Sequence, residues 1–498
     1  MIHALRRRSF VPLGALLLAL TAAVALADDD APAPPTPWPR GAPPTPAEVG
    51  AALAGALELD ALEQKEEWLA AAEFGEASEH VAIQQADIDA GLYSKAQLFR
   101  FGDELFGHPF TVNPDGFGDG TYTTLRRVHA GVRGGLDTFS CAGCHSVGGP
   151  DGAGSETQNA FLGGDGDRMS SANVRNAPAI LGLGLVQALG AEMTQELQYQ
   201  RDQAVAKALA TGAPVTVALG AHAISFGALG VDAGGTVDTS GVEGVDADLV
   251  VRPFGWKGTG SRLRRFAEDA ARIHFGIQSH VLALQYQSSP DVPHLGAGPE
   301  WFDPDGDGHV RELEDGSLTA LAAYMAMLEA PIILPPHDEG LRARWASGAA
   351  RFDALGCASC HAHLPLLYTT RHELADTTGG DVTIQLFVDG DQPKGSNVVA
   401  LFSDLKRHRM GPELADAHDD EHGVARDVFL TRPLWGLAES APYLHDGRAG
   451  TIPEAILAHG GEAAPARDAF AALPAEAQAD LHVFLLSLTR EPKLRVAR

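Results

Sequence analysis

The sequence predicts a mainly α-helical protein built from two similar units, with a small irregular or β-rich insertion in the first unit. Two observations predict this architecture. A C-x-x-C-H motif occurs at 141–145 and again at 357–361, and the two copies use all four cysteines of the chain. Each copy is followed, more than a hundred residues later, by a helical pattern L-x-x-aromatic-L/M-x-x-L and then a proline. A motif and a closing helix that recur together are typical of an internal duplication.

The first 93 residues divide into three segments. Residues 1–27 combine a basic run, an apolar stretch and an Ala-Leu-Ala cleavage pattern, which predicts a secretory signal peptide. Arg7-Arg8 also resembles a twin-arginine signal. Residues 28–46 are rich in proline and alanine and predict an extended linker. Leucines at helical spacing predict a helical extension over 47–93.

The signal peptide predicts export to the periplasm. The formal charge is −28, and loss of three arginines with the signal would leave the mature chain near −31. This charge argues against nucleic acid and anionic lipid as partners, and it suits a basic electron donor. No other segment has about 18 consecutive apolar residues, so we expect no membrane span.

The C-x-x-C-H motif is the attachment signature of c-type haem. Its cysteines can form thioethers to the haem vinyl groups, and the histidine is then placed as the proximal iron ligand. The alternatives are disulfides, a thiol-redox pair, or zinc, which requires the four sulfurs to converge. Because neither zinc nor a redox pair explains the trailing histidines, the motifs predict two covalent haem c groups. Their ligands would be Cys141, Cys144, His145, Cys357, Cys360 and His361. Since haem is attached to an unfolded chain after export, this favours the general secretory route.

The first unit is expected over residues 94–331. Helical periodicity runs through Gln187 to about Leu209 and again from about Ser261 to Leu284, and Leu318–Leu328 forms the closing helix. Between the first two helices, residues 214–251 alternate Val, Thr and Gly with Asp in short runs. This predicts β-hairpins or an irregular insertion.

A second metal site is predicted at 303–314, which fits the calcium-loop pattern D-x-D-x-D-G-x₅-E. Three aspartates offer side-chain oxygens, His309 would bind through its carbonyl, and Glu314 would close the site. An Asp/Gly turn without a metal is the alternative. The predicted calcium ligands are Asp303, Asp305, Asp307, His309 and Glu314.

The second unit is expected over residues 332–498, after a cluster of prolines. Leu341–Leu355 predicts a helix that runs directly into Gly356-Cys357, and Leu481–Leu488 forms the closing helix.

Further motifs resemble those of the bacterial di-haem cytochrome c peroxidase superfamily, which includes the methylamine dehydrogenase maturase. They are similar above all to its di-haem oxidoreductase branch, also described as thiol oxidoreductase-like. The resemblance implies two mainly α-helical cytochrome c-like domains whose haems face a shared interface, with the C-terminal haem accepting electrons and the N-terminal haem meeting peroxide or oxygen. The motifs are Arg175-Asn-x-Pro178, Phe254-Gly-Trp-Lys257, Met410-Gly-Pro412, Pro433-Leu-Trp-Gly-Leu437, Pro442-Tyr-Leu-His-Asp-Gly447 and His459-Gly-Gly-Glu-Ala463.

The resemblance places the sixth ligand of the C-terminal haem fourteen residues after His445, which is His459. Imidazole in place of the family's methionine implies a lower reduction potential. Met410 is the alternative, because its spacing after His361 is one that many single-haem cytochromes use. The alternatives without a haem role are a helix C-terminal residue for His459 and a core methionine for Met410.

On the N-terminal haem, the resemblance places a distal histidine at the position of Phe161, so an open iron is expected. Glu192 and Glu196 lie near the position of the family's distal glutamate and are candidate acid–base residues, with surface glutamates as the alternative. Trp256 could relay electrons or belong to the core. Arg175 and Arg448 could bind haem propionates.

The sequence therefore predicts a periplasmic, peroxidase-like di-haem oxidoreductase. Its partners would be hydrogen peroxide or another small oxidant and a small cytochrome or cupredoxin as electron donor. The alternatives are a plain electron-transfer cytochrome with both irons six-coordinate and a haem enzyme that oxidises a protein or organic substrate.

Overall fold

The computed structural model describes part of the chain, all of it within one unit that spans residues 45–498. The described residues are 83–108, 110, 128–129, 132–133, 137–138, 140–145, 160–163, 168–275, 277, 279, 312–328, 330–363, 371–375, 381–385, 401–420 and 422–489. The predicted signal peptide, the linker and most of the helical extension lie outside these residues.

Helices form most of the regular secondary structure among the described residues, as the sequence predicts. They are α1 (Gln85–Asp89), α2 (Lys95–Gly107), α3 (Cys141–Cys144), α4 (Leu183–Thr211), α5 (Leu263–Ala270), α6 (Asp315–Met327), α7 (Glu339–Ala354), α8 (Ile452–Ala458), α9 (Ala464–Ala471) and α10 (Ala475–Leu485). A π-helical turn (Ala271–Phe275) extends α5, and short 3₁₀ turns occupy Met169–Ser171, Cys357–Ser359, Pro412–Leu414, Leu437–Glu439 and Gly461–Ala463.

The strands are short and pair antiparallel in small sheets. They are β1 (Val128–His129), β2 (Val132–Arg133), β3 (Ala160–Leu162), β4 (Asn173–Arg175), β5 (Val215–Ala221), β6 (Ile224–Val231), β7 (Val237–Asp238), β8 (Ile332–Ile333), β9 (Arg371–Ala375), β10 (Asp381–Gln385), β11 (Arg407–Arg409), β12 (Val428–Leu430) and β13 (Leu488–Thr489). The sheet β5-β6-β7 occupies the predicted insertion, where β6 pairs with both of its neighbours.

The same helix–helix packing arrangement occurs in both halves of the described chain. In α2, Gly102 lies against α6, where an added Cβ would clash with the carbonyl of Ala320 and lie 2.5 Å from the Cβ of Tyr324. Four residues later, Phe106 packs on Tyr324 with ring centroids 5.3 Å apart. A glycine followed by an aromatic residue one turn later thus lets the helix before the first motif approach the closing helix closely.

The second half repeats this arrangement with α7 and α10. An added Cβ at Gly348 would lie 2.7 Å from the carbonyl carbon of Asp480 and 2.8 Å from the Cβ of Phe484. Phe352, again four residues later, packs on Phe484 at 5.5 Å. The two helix pairs therefore pack in the same way, and the internal duplication stays a prediction.

Buried apolar side chains form two clusters that follow these two helix pairs. The larger cluster combines α2, α4 and α6 with the insertion, and the smaller one surrounds Phe352 and Phe484. Trp435 joins the larger cluster although it lies late in the chain. It packs against Gly182, whose left-handed backbone (φ +63) precedes α4, where an added Cβ would lie 2.6 Å from the indole.

The insertion packs on α4 through specific hydrogen bonds. Gln200 donates to the carbonyl of Gly220 at 2.6 Å and accepts from the Gly220 N–H at 3.1 Å. The hairpin between β5 and β6 turns at His222 and Ala223, both with positive φ. Among the described residues, no helix is long and apolar enough to cross a membrane.

Candidate functional site

The second C-x-x-C-H motif follows α7 through a tight turn. Gly356 has a left-handed backbone (φ +84), and the chain then forms the 3₁₀ turn at Cys357–Ser359. The His361 N–H donates to the carbonyl of Cys357 at 2.9 Å, which brings the histidine and both cysteines into one compact loop. The sequence places the two cysteines and the histidine together because the motif forms a single turn.

The side chain of His361 is held as a metal-binding imidazole usually is. Its Nδ1 lies 3.1 Å from the carbonyl oxygen of Phe402, so the Nδ1–H can donate there and leave Nε2 with a free lone pair. Burial, together with nearby His459, lowers the pKa of His361 to about 4. The imidazole is therefore neutral at physiological pH, the state in which it binds iron.

A cavity of about 500 Å³ opens beside this motif. Its size falls within the range of about 300–1,000 Å³ for cofactor and ligand sites, and most of its lining is apolar. Cys357, Cys360 and His361 lie on its wall, together with Met410 and His459. The residues present therefore fit a covalently attached haem.

His459 faces His361 across this cavity. It follows the last residue of α8, and its Nδ1 lies 2.7 Å from the carbonyl of Ala455. The ring centroids of the two histidines are 6.5 Å apart. The two imidazoles are therefore close enough to hold one group between them. Burial also lowers the pKa of His459, so it too is neutral.

Met410, the alternative sixth ligand, lines the same cavity. It follows β11, and its N–H donates to the carbonyl of Asp427 at 2.8 Å. Gly460 lies against its backbone, because an added Cβ there would be 2.7 Å from the Met410 oxygen. The Met-Gly-Pro and His-Gly-Gly motifs thus meet at the cavity, and the described contacts pair His361 with His459.

Three of the motifs that carry the family resemblance meet on the wall of the cavity. The Asn176 N–H donates to the carbonyl of His445 at 2.7 Å, and its side-chain amide donates to the carbonyl of Pro442 at 2.6 Å. Trp256 donates its indole N–H to the carbonyl of Asn176 at 2.7 Å. Segments far apart in sequence therefore fix one another at this site.

A buried charge cluster supports these motifs. Asp416 accepts two hydrogen bonds from Arg175, at 2.7 and 2.8 Å, and pairs with Lys257 at 2.9 Å. Burial alone would raise the pKa of Asp416, but these two cations hold that pKa below its usual value. His445 lies 3.5 Å from Asp416 and stacks on Phe429 at 4.3 Å. Burial lowers the pKa of His445 to about 4.

The first C-x-x-C-H motif forms the short helix α3. Ser140 caps it by accepting from the Gly143 N–H, and the His145 N–H donates to the carbonyl of Cys141 at 3.0 Å. The His145 ring packs near Phe106, with centroids 6.1 Å apart. Burial, and to a lesser extent the charges of His274 and Arg432, lower the pKa of His145 to about 4. This histidine is also a neutral imidazole suited to iron.

The cysteines do not have the properties of a zinc or thiol-redox site. All four are free thiols. Burial raises the pKa of Cys141 to about 12 and that of Cys357 to about 11, so neither is a reactive thiolate. Within the described part of the chain, the one cluster with metal-ligand spacing contains Cys360, Asp404 and His408, a single cysteine. The four sulfurs therefore do not converge.

The two candidate catalytic glutamates lie on α4 beneath the insertion. Glu192 pairs with His222 of the β5–β6 turn at 3.2 Å. Burial raises the pKa of Glu196, which also lies near His222. Neither glutamate lines the cavity described above. Phe161, which stands where the resemblance would place a distal histidine, lies on β3 opposite Val174.

The two arginines predicted for propionate binding already pair with protein carboxylates. Arg175 forms the bidentate pair with Asp416, and Arg448 pairs with Asp446 and donates to the carbonyl of Glu413 at 2.6 Å. Their assignment to propionates stays a prediction. Of the predicted calcium ligands, Glu314 precedes α6, while Asp303, Asp305, Asp307 and His309 lie outside the described residues.

Several site residues could not be found from the sequence. His274, in the π-helical turn after α5, pairs with Asp137 at 2.8 Å, and its charge contributes to the low pKa of His145. Arg432 lines the cavity, and its only sequence signal is its place directly before the Pro433–Leu437 motif. Lys257 lies within a motif quoted for the resemblance, but its charge partner Asp416 lies outside every motif.

Comparison with known proteins supports the resemblance. The family described as "Di-haem oxidoreductase, putative peroxidase" matches residues 324–488, which confirms the similarity to the di-haem peroxidase superfamily. Among solved structures, the chain is similar to hydrazine synthase of Kuenenia stuttgartiensis, with 15% identity over 83% of this chain and 96% of that chain and a TM-score of 0.37. It is also similar to a MauG-like protein associated with microbial copper homeostasis, with 16% identity over 84% and 95% and a TM-score of 0.35. Scores of this size do not establish a shared fold. No curated protein matches the chain.

Proposed function

We propose that this chain, whose residues 324–488 match the di-haem oxidoreductase family, is an exported di-haem c-type cytochrome that works as a peroxidase-like oxidoreductase. The C-terminal site would receive electrons from a donor protein and pass them to the N-terminal site, where a small oxidant reacts. The observation that carries this proposal is the pairing of His361 and His459 across the cavity beside Cys357 and Cys360.

The C-terminal site has the properties of an electron-transfer centre. Two neutral imidazoles face one another, and each can donate its Nδ1–H to a backbone carbonyl, of Phe402 and of Ala455. Such hydrogen bonds fix the tautomer and make Nε2 a better ligand. If His361 and His459 both held the haem iron, this site would leave no place at the iron for a substrate. This site would therefore store and transfer electrons.

The N-terminal site is the candidate for reaction with the oxidant. His145 offers one neutral imidazole, and Phe161 replaces the histidine that the resemblance would place on the opposite side. A phenyl ring cannot bind iron, so this site would leave room at the iron for a small oxidant. When bound, the haems supply the redox chemistry. Reduction of one H₂O₂ to two waters takes two electrons from the donor protein and two protons.

The protons need a source, and the candidates are two glutamates of α4, the buried Glu192 and the half-buried Glu196. The raised pKa of Glu196 allows this carboxyl to carry a proton at higher pH than an exposed glutamate, and Glu192 contacts His222. Acid–base catalysis of this kind contributes roughly 10²–10⁴-fold to a rate. We expect Glu192→Gln or Glu196→Gln to lower peroxide turnover by a factor in that range while both haems remain attached.

The remaining partners follow from charge and from the calcium motif. A formal charge of −28 favours a donor with a basic surface, such as a small cytochrome or cupredoxin. A Ca²⁺ ion at 303–314 would stabilise the first unit. A haem enzyme that oxidises a protein or organic substrate is the alternative with the same site requirements. The other alternative, a plain electron-transfer cytochrome, requires both irons to be six-coordinate.

The test is low-temperature electron paramagnetic resonance of the ferric protein, before and after addition of H₂O₂. We expect one low-spin haem and one high-spin haem. Peroxide should change only the high-spin signal and should be consumed when a reductant is present. Two low-spin haems that peroxide does not alter, even after one-electron reduction, would identify an electron carrier instead.

A further inference from the structure

A chain of hydrogen bonds connects the second C-x-x-C-H motif with the loop that follows His459. It begins at Asp404, whose backbone N–H donates to the carbonyl of Cys360 at 2.8 Å. The Asp404 carboxylate lies 2.9 Å from Nε2 of His408, and Nδ1 of the same ring lies 2.8 Å from the carboxylate of Glu462. Glu462 is three residues after His459. One imidazole ring therefore joins the motif to the segment of the predicted sixth ligand.

The ring of His408 lies between two acceptors. Carboxylates are ionised at neutral pH and then accept hydrogen bonds without donating any. An imidazole forms both contacts only when both of its nitrogens carry hydrogen, so His408 is an imidazolium. Its bonds to Asp404 and Glu462 are then charge-assisted, which makes them roughly twice as strong as neutral hydrogen bonds. We call Asp404, His408 and Glu462 the carboxylate clamp.

The carboxylate clamp also fixes the backbone that leads to Met410. The second oxygen of Glu462 accepts a hydrogen bond from the Arg409 N–H at 2.8 Å, so one carboxylate holds both residues before the methionine. Directly after the methionine, Gly411 has a left-handed backbone (φ +80), and an added Cβ there would lie 2.8 Å from the backbone nitrogen of Gly461. The segments of Met410 and Glu462 are thus held in backbone contact with each other.

The two candidate sixth ligands lie on these two segments. Met410 and His459 both line the cavity, and so do His361, His408 and Glu462. The ring of His459 faces that of His361, with centroids 6.5 Å apart. Because the carboxylate clamp fixes both segments against each other, it also fixes which of the two side chains stands opposite His361.

We propose that the contact between His408 and Glu462 selects the axial ligand of the C-terminal haem. With this contact in place, His459 binds the iron and Met410 does not. Without it, the segment of Met410 is released, and its thioether takes the place of the imidazole. The selection sets the potential of the haem, because imidazole in place of thioether lowers the reduction potential. The inference rests on the proposed function, because it requires haem bound at the second motif.

The experiment compares the haem-loaded wild type with Glu462→Ala. Near-infrared magnetic circular dichroism of the ferric protein distinguishes two imidazole ligands from one imidazole and one thioether, and an optical redox titration gives the potentials. We expect the C-terminal haem of Glu462→Ala to show methionine ligation. Its midpoint potential should rise by at least a tenfold change in the ratio of oxidised to reduced haem, about 59 mV for a one-electron couple. His408→Gln should show the same exchange, since it removes the imidazolium.

Asp427→Ala is the matched control. The Asp427 carboxylate pairs with the guanidinium of Arg409 at 2.8 and 3.1 Å, so this variant also removes one negative charge beside Met410 but leaves the carboxylate clamp intact. It should keep two histidine ligands. The double variant Glu462→Ala/Met410→Leu identifies the incoming ligand, because the methionine signature should disappear from it.

A Glu462→Ala protein that keeps two histidine ligands would overturn the proposal, and so would a high-spin C-terminal iron without a methionine signature. A wild type whose C-terminal haem is already methionine-ligated would also overturn it. If Glu462→Ala does not load two haems, His408→Gln decides the question by the same two measurements. A wild type that lacks two covalent haems would instead refute the proposed function.

Discussion

His459 directly follows the last residue of α8, and two features of that position suit it to bind iron opposite His361. Its backbone N–H donates to Ile456 at 3.2 Å, and its ring donates back to the carbonyl of Ala455. The imidazole thus satisfies an unpaired carbonyl of the helix end while its Nε2 points away from the helix. The sequence analysis gave two alternatives for His459, an iron ligand or a residue that ends a helix. In the structure His459 ends the helix through Nδ1, which leaves Nε2 available as a ligand.

Replacement of His459 tests the ligand assignment. In His459→Ala we expect the C-terminal ferric haem to change from low-spin to high-spin, because one axial bond is lost. In His459→Met the potential of that haem should rise, since methionine ligation favours the reduced iron. Met410→Leu serves as the control and should leave the haem low-spin. A high-spin haem in Met410→Leu together with a low-spin one in His459→Ala would show that methionine is the ligand.

Asp416 is the buried anion that pairs with Arg175 and Lys257 and so supports the motif contacts on the cavity wall. Asp416→Asn would leave Arg175 and Lys257 buried without their counter-charge, so we expect a loss of about 3–5 kcal/mol in the free energy of unfolding at pH 7. The folded pKa of Asp416 is lowered, so its contribution is complete above the unfolded value of about 3.9 and is lost as pH falls through the folded pKa.

Urea unfolding at several pH values measures this dependence. The difference between wild type and Asp416→Asn should stay constant from pH 7 to about 4 and then shrink at lower pH. A difference that shrinks above pH 5, or one that is absent at pH 7, would contradict the role of Asp416.

At the scale of elements, the paired helices explain why the sequence repeats a glycine and an aromatic residue. Gly102 and Phe106 of α2 correspond to Gly348 and Phe352 of α7, each against a closing helix. The closing-helix pattern was visible in the sequence. The glycines were not, because a glycine within a helix indicates a close approach only when its partner helix is known.

Gly102→Ala tests the close approach of α2 and α6. The added methyl would clash with backbone atoms of α6, which cannot move as a side chain can, so we expect destabilisation of about 2 kcal/mol. Gly107→Ala on the same helix is the control, since nothing lies within 4 Å of its added Cβ. It should be neutral or stabilising by up to about 1 kcal/mol. Equal melting temperatures for the two variants would show that the helices are not tightly packed at Gly102.

Helix and strand types were predictable because they follow local periodicity. The helices α4, α6, α7 and α10 fall where apolar residues recur at helical spacing, and β5 to β7 fall within the predicted insertion. Boundaries were less predictable. The sequence predicted a helix through Gln187 without fixing its first residue. The helix α4 begins at Leu183, because Gly182 turns the chain and Trp435 packs against Gly182 from the second half of the sequence.

At the scale of the whole molecule, the sequence predicted those site residues whose spacing is local. Each C-x-x-C-H turn places two cysteines and a histidine together within five residues, so the candidate haem ligands can be recognised from one short segment. The support around them depends on long-range contacts. Arg175 and Asp416 are 241 residues apart, and Asn176 and Pro442 are 266 apart. No sequence periodicity predicts such pairs. The place of Arg432 in the cavity wall also depends on long-range contacts, so the sequence did not predict it.

The central claim is that both motifs bind haem covalently, and intact-protein mass spectrometry with a pyridine haemochrome assay tests it most directly. The wild type, expressed with a haem-attachment system, should carry two haems per chain. The variants Cys141→Ala/Cys144→Ala and Cys357→Ala/Cys360→Ala should each carry one. A wild type without covalent haem, or variants that retain two, would contradict the account.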